Sequence, residues 1–292
     1  MRKFAFVFLM AVVGLIACKK EVDYDLIAEK PQLVVQSFFT PAEDSIKVYL
    51  SYTESFFEDK SIRTSLIANI SKAQLTMSDG TITKPLKWSV RKAAFVLATK
   101  DLPLIANKTY SISVKTLDGN TASASSKMPN EITGAQLSRV KGTSVKNQQR
   151  KDRLTLALNA ETGVTNYLDF RVFTVFTERY SSTSYEQIQL IDQSVIKDDV
   201  NIPIISANFS YNFYLRSNYI GIPPPNYSIT SVFRGLFIKA NEEYYKYLDV
   251  SKKNYDAADN PFSEPTSLYT NITGGLGVFA AYQLVIKEIP YD

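Results

Sequence analysis

The chain has 292 residues, of which 45% are hydrophobic and 21% are charged, a composition typical of globular proteins. Its net charge of +4 gives no concentrated positive surface, so we expect no nucleic-acid partner. The sequence contains no histidine and a single cysteine. This excludes histidine-based catalytic triads, histidine-ligated metals and a disulfide framework, and we predict neither a metal site nor a bound cofactor.

The N-terminus predicts a cleaved signal peptide over residues 1–17. Arg2 and Lys3 precede an uncharged apolar run, 4–17, which is long enough for a signal-peptide core and too short to span a bilayer. The next observation is Leu15-Ile16-Ala17-Cys18, which resembles the lipobox of bacterial lipoproteins. That resemblance implies cleavage before Cys18 and a covalent lipid on its sulfur, so the chain is expected to be anchored in a lipid bilayer.

Cys18 has two other interpretations. A buried core thiol is less consistent with its position directly after an apolar leader. A catalytic cysteine is disfavoured because the chain has no histidine to act as its base.

Residues 18–30 predict a polar, lipidated tether. Lysines 19 and 20 are followed by acidic residues, a pattern that resembles the surface-export signal of Bacteroidetes lipoproteins. This implies an outer-membrane location, facing the cell surface. The alternative is a tether that is simply solvated.

Residues 31–130 predict an Ig-like β-sandwich. Apolar and polar residues alternate in short segments such as SIKVYLSYTES, the period of half-buried strands. Asp79-Gly80 and Asp118-Gly119 separate such segments and indicate hairpin turns. No helical period appears in this region, which favours a sandwich.

Residues 131–292 predict a second antiparallel β-domain with one C-terminal helix, so the fold class is mainly all-β. Alternating apolar residues mark several strands, ending with a strand over Val278–Ile289. The helix is expected near residues 241–254, with Asn241 as its cap and acidic residues in its first turn.

An excess of aromatic residues in the second domain is the candidate surface for a ligand or partner. Aromatic rings supply large contact areas at little entropic cost. Alternatively, those aromatic residues that occupy every second position of a strand pack in the core. The candidate residues lie beside a triple proline and are Phe209, Tyr211, Tyr214, Tyr219 and Tyr227.

Three other patterns only weakly indicate a functional site. The glycines of GGLG at 274–277 lack the lysine of a phosphate loop and favour a turn with positive φ. Asp256 and Asp259 offer oxygen ligands for Ca²⁺ but favour a turn before Pro261. The acidic residues at 192, 198 and 199 are too close in sequence to indicate a glycosidase pair, so we predict no catalytic residue.

The C-terminal motif resembles an uncharacterised family of Bacteroidetes lipoproteins. It combines a tyrosine-rich helix with the residues Asn260, Pro261, Phe262, Pro265, Asn271, Gly274, Gly275, Gly277 and Phe279. Members of that family are often encoded beside TonB-dependent outer-membrane receptors, which implies such a receptor as the partner. The motif has two interpretations: a structural lock between the helix and the last strand, or a surface that contacts the receptor.

These observations predict a non-enzymatic, lipid-anchored accessory protein of TonB-dependent nutrient uptake. The alternatives are a surface glycan hydrolase, which needs two carboxylates about 5–9.5 Å apart in an open cleft, and a structural or adhesive surface lipoprotein.

Overall fold

The computed structural model describes residues 31–53, 68–140, 151–159, 161, 164–180, 183–198, 205–210, 227–258 and 267–291. These residues form three β-sheets and one long helix, which confirms the predicted mainly-β class. The strands are β1 (Leu33–Phe39), β2 (Ser45–Tyr52), β3 (Gln74–Ser78), β4 (Thr83–Pro85), β5 (Lys87–Ser89), β6 (Ala94–Ala98), β7 (Thr109–Lys115), β8 (Thr121–Lys127), β9 (Thr133–Val140), β10 (Lys151–Asn159), β11 (Asn166–Tyr180), β12 (Thr183–Asp198), β13 (Ile205–Ser210), β14 (Tyr227–Ala240) and β15 (Leu276–Pro290). Helix α1 spans Glu242–Ala258, and one further helical turn lies at residues 68–70.

An eight-stranded sheet runs through the molecule in the order β12-β11-β14-β15-β1-β2-β6-β5. All of its neighbours are antiparallel except β1 and β15, which pair in parallel from Val34–Leu276 to Phe39–Ala281. Strand β15 is long enough to pair with β1 over its first half and with β14 over its second half. The first and last described strands of the chain are therefore hydrogen-bonded to each other.

A four-stranded sheet, β4-β3-β7-β8, packs on one half of the long sheet as the predicted N-terminal sandwich. The alternating strands put Leu75 and Met77 of β3, with Ile112 and Val114 of β7, into a shared core. Phe39 and Phe279 meet in that core with ring centroids 4.7 Å apart. Since Phe279 belongs to β15, the last strand completes the first sandwich.

A three-stranded sheet, β13-β10-β9, packs on the other half of the long sheet. Leucines 154, 156 and 158 of β10 face Phe233 and Phe237 of β14 in a second core. Gly235 lies between these two phenylalanines, and a Cβ at this position would meet Leu137 at 3.3 Å. The missing side chain lets the two sheets approach closely. The domain boundary near residue 130 stays a prediction.

Helix α1 covers part of the opposite face of the long sheet. Asn241 caps it, because its Oδ1 accepts a hydrogen bond from the Tyr244 N–H at 3.1 Å. Tyr244, Tyr247 and Leu248 lie one turn apart and pack on the sheet with Val278 and Ala280, forming a third core. No helix in the described part of the chain is both long and apolar enough to cross a membrane.

Candidate ligand-binding groove

A shallow groove of about 450 Å³ lies on the four-stranded sheet of the first sandwich. Ser and Thr side chains from all four strands line most of it, together with Ile112 and Ala124. The hydroxyl residues are Thr76 and Ser78 of β3, Thr83 of β4, Ser111 and Ser113 of β7, and Ser123 and Ser125 of β8.

The hydroxyl residues form two rows across the sheet, because directly opposed residues in antiparallel strands point to the same face. In one row Thr76 opposes Ser113, which opposes Ser123. In the other row Ser78 opposes Ser111 on one side and Thr83 on the other. Neighbouring residues of a row are separated by about 4.8 Å, and the two rows by about 6.7 Å. The result is a regular grid of small hydroxyl groups.

Local sequence explains why this grid faces solvent. In β7 and β8, TYSISVK and TASASSK alternate buried and exposed positions, and the serines 111, 113, 123 and 125 take the outward or partly exposed ones. A lysine stands at each end of this strand pair: Lys115 opposes Thr121 at one end, and Lys127 opposes Thr109 at the other. Short side chains between longer ones leave the depression.

The chemistry of the groove is that of an uncharged, polar surface. A hydroxyl group both donates one hydrogen bond and accepts others, so the grid can satisfy a ligand that carries many hydroxyl or amide groups. The residues that line the groove include no carboxylate, amine or thiol. The grid can therefore bind and orient a neutral ligand, and its own side chains offer no acid or base for hydrolysis.

The predicted aromatic surface lies mostly outside the described residues. Tyr211, Tyr214 and Tyr219 are among the residues that are not described, whereas Phe209 lies in β13 and Tyr227 begins β14. In the backbone register Phe209 opposes Asp152, and Tyr227 opposes Tyr180. The role of these aromatic residues stays a prediction.

The described part of the family motif holds β15 against its neighbours. Asn271 makes two hydrogen bonds to the backbone of Phe279, both 2.9 Å long. Gly274 and Gly277 have φ values of +80° and +110°, which favour glycine. A Cβ on Gly277 would lie 2.0 Å from the Val35 carbonyl oxygen, and one on Gly275 would lie 2.4 Å from that of Leu33. These contacts explain why the positions require glycine and favour the structural interpretation of the motif.

Several predicted positions fall outside the described residues. They are Cys18, where lipidation is predicted, the acidic residue Asp259, and the motif residues Asn260, Pro261, Phe262 and Pro265. Among the described residues, no three His, Cys, Asp or Glu side chains come together as a metal site.

The most buried charged cluster in the described chain lies under α1. The Asp169 carboxylate is fully buried, and its Oδ2 accepts hydrogen bonds from Arg171 Nη2 at 2.6 Å and from the Tyr244 hydroxyl at 2.9 Å. Burial and the neighbouring Asp169 raise the pKa of the Tyr244 hydroxyl above its usual range. The hydroxyl therefore stays protonated and keeps the helix bonded to β11.

Sequence reasoning did not identify the hydroxyl groove. The signal was present as serine and threonine at every second position of TYSISVK, TASASSK and QLTMS. By itself, the alternation of these segments predicts only that their apolar residues face a core.

Comparison with known proteins shows the family. A model of a domain of unknown function, DUF4249, matches residues 19–287. The chain therefore belongs to the DUF4249 family. No functionally curated protein matches the sequence significantly.

Proposed function

We propose that this chain is a lipid-anchored, non-enzymatic binding protein of the outer membrane that serves a TonB-dependent uptake system. The hydroxyl groove is the observation that carries the binding function. It offers donors and acceptors in a regular array, on a four-stranded sheet, without a charged side chain in its lining. Such a surface matches a neutral, hydroxyl-rich ligand such as a glycan.

The proposed lipid anchor and the proposed receptor partner are supported by features of the sequence and not by the groove. The lipobox ending at Cys18 favours the anchor, and the resemblance to lipoproteins encoded beside TonB-dependent receptors favours the partner. The glycan-hydrolase alternative is less favoured at this groove, because hydrolysis needs two carboxylates that face the substrate. An adhesive lipoprotein would share the anchor and lack the receptor.

Ligand binding is tested with the purified chain and a panel of neutral oligosaccharides, measured by calorimetry. Ser113→Arg places a long charged side chain in the centre of the groove, and we expect it to abolish binding. Thr109→Arg is the matched control, since Thr109 is also an exposed residue of β7 but does not line the groove. If both variants bind the saccharides equally well, the groove is not the binding site.

The partner is tested by crosslinking in native outer membranes, followed by purification and mass spectrometry. We expect a TonB-dependent receptor to be enriched over a Cys18→Ala control, which cannot be lipidated. Recovery of only abundant porins and cell-wall material would contradict the transport function. Cleavage of a saccharide by the purified chain would instead support the hydrolase alternative.

A further inference from the structure

Strand β12 forms one edge of the eight-stranded sheet and is 16 residues long. Its inner edge pairs with β11 along its full length, and no strand in the described chain pairs with its outer edge. The opposite edge of the same sheet is β5, with only three residues. Edge strands are usually short or blocked, because their unpaired N–H and C=O groups can pair with another chain. The length of β12 makes it the edge where a partner strand can add.

A β-bulge places two opposite charges of β12 on the same face. Glu186 and Lys197 are 11 positions apart in the sequence, an odd number, so a regular strand would point them to opposite faces. The register with β11 shifts between Val172 and Phe173, so β12 contains one extra residue. As a result Glu186 opposes Thr177 and Lys197 opposes Tyr167, two positions of the same face of β11.

Both charges are accessible. The Glu186 side chain is 49% exposed, and its carboxylate lies 3.8 Å from Arg234, whose guanidinium is bound more closely by Glu288 at 2.5 Å. Lys197 is exposed, and it makes no ion pair with another described residue. Between the two charges, the exposed side chains of Ile188 and Leu190 lie on the same face.

We propose that two copies of this chain associate through β12, edge to edge and antiparallel, so that their long sheets become continuous. One register of this pairing sets Glu186 of each copy against Lys197 of the other. Its two-fold axis passes between residues 191 and 192, where the bulge lies, and the regular arms of β12 pair on either side. Because such a contact is isologous, the pair between Glu186 and Lys197 occurs twice in the dimer.

Charge selects this register over two others of the same antiparallel pairing. With the two-fold axis at Glu186, this residue would oppose Glu186 of the second copy, and with the axis at Lys197, Lys197 would oppose itself, which is destabilising. The register with its axis at the bulge converts both repulsions into attractions. It also brings Ile188 and Leu190 beside the second copy, where part of their apolar surface leaves water. This inference does not depend on the proposed uptake function.

The test is the mass of the whole chain, purified in mild detergent, measured by sedimentation over a range of concentrations. We expect the native chain to be dimeric. Each of the substitutions Glu186→Lys and Lys197→Glu replaces two attractive pairs by two repulsive ones, which raises the dimer dissociation constant by about tenfold or more. The double variant carries both substitutions, restores the pairing with reversed polarity and is expected to be dimeric again.

Glu131→Lys is the matched control for Glu186→Lys, since it makes the same change in net charge at an exposed residue outside β12. It should leave the mass unchanged. A native chain that is monomeric at every concentration overturns the proposal. So does a double variant that dissociates as readily as the single ones, because the opposed charges would then not be partners.

Discussion

The side-chain amide of Asn271 binds the backbone of Phe279 as a neighbouring strand would. Its Nδ2 donates to the Phe279 carbonyl oxygen, and its Oδ1 accepts from the Phe279 N–H, each at 2.9 Å. Phe279 is fully buried and packs in the first core. The two bonds therefore satisfy buried polar groups at the point where β15 pairs with β1.

Removing this amide should destabilise the whole fold. Asn271→Ala leaves two backbone groups of Phe279 without these partners, and we expect the free energy of unfolding to fall by about 2 kcal/mol. Chemical denaturation measures the change. Asn120→Ala is the control, because Asn120 lies in an exposed turn and should lower the stability by about 0.5 kcal/mol at most. Equal effects of the two substitutions would contradict the assigned role.

A position can require glycine because its φ is positive or because another backbone lies too close for a Cβ, and Gly277 and Gly80 allow the two effects to be compared. Both have positive φ, +110° and +87°, but only Gly277 has backbone within 4 Å of the position of a Cβ. Gly80→Ala should cost about 1–2 kcal/mol from the left-handed conformation alone. Gly277→Ala adds the displacement of β1 from β15, which we expect to cost about 1–3 kcal/mol more. Thermal and chemical unfolding of the two variants under the same conditions check the difference.

Local features of the fold could be predicted from the sequence. Asp79-Gly80 and Asp118-Gly119 form turns with positive φ at both glycines, and the strands on either side pair as predicted. Asn241 caps the helix. Each of these features is decided by a few adjacent residues, whose turn and capping preferences act over short distances.

Long-range features could not be predicted. Nothing local in LVVQSFF or LGVFAAYQ indicates that β1 and β15 pair in parallel, because that pairing depends on how the intervening chain folds. The close approach of Gly277 to Val35 follows from the same pairing. The hydroxyl groove likewise needs β3, β7 and β8 in register before its separate serines become one surface.

Tyr244 and Tyr247 differ in what their hydroxyl groups bind, although they are neighbours on α1. The Tyr244 hydroxyl donates to the buried Asp169 and accepts from Arg171 at 3.0 Å, whereas that of Tyr247 accepts one 3.4 Å bond from Gln36. Tyr244→Phe should lower the free energy of unfolding by about 2 kcal/mol, because a hydrogen bond to a buried charge is lost. Tyr247→Phe should lower it by less than about 0.5 kcal/mol. Urea denaturation compares them, and a larger loss for Tyr247→Phe would contradict the importance of the Asp169 cluster.

Asp79 should make the stability depend on acid pH. A hydrogen bond from Lys108, followed by the N–H groups of Ile82 and Thr81, lowers the pKa of the Asp79 carboxyl to about 2. In the unfolded chain an aspartate has a pKa of about 3.9, so between these values the unfolded state binds the proton first. The stabilisation by the carboxylate is therefore complete above about pH 4 and is lost as the pH falls towards 2.

Asp79→Asn removes this titration but keeps an oxygen for the two backbone N–H groups. We expect the variant to be less stable than the native chain at pH 7, and the difference between them to shrink as the pH falls from about 4 to about 2. Lys108→Gln should show the same convergence, because the lysine is the largest cause of the lowered pKa. Unfolding curves at closely spaced pH values measure both differences. If these stay constant down to pH 2, Lys108 does not hold the Asp79 carboxyl in its charged form.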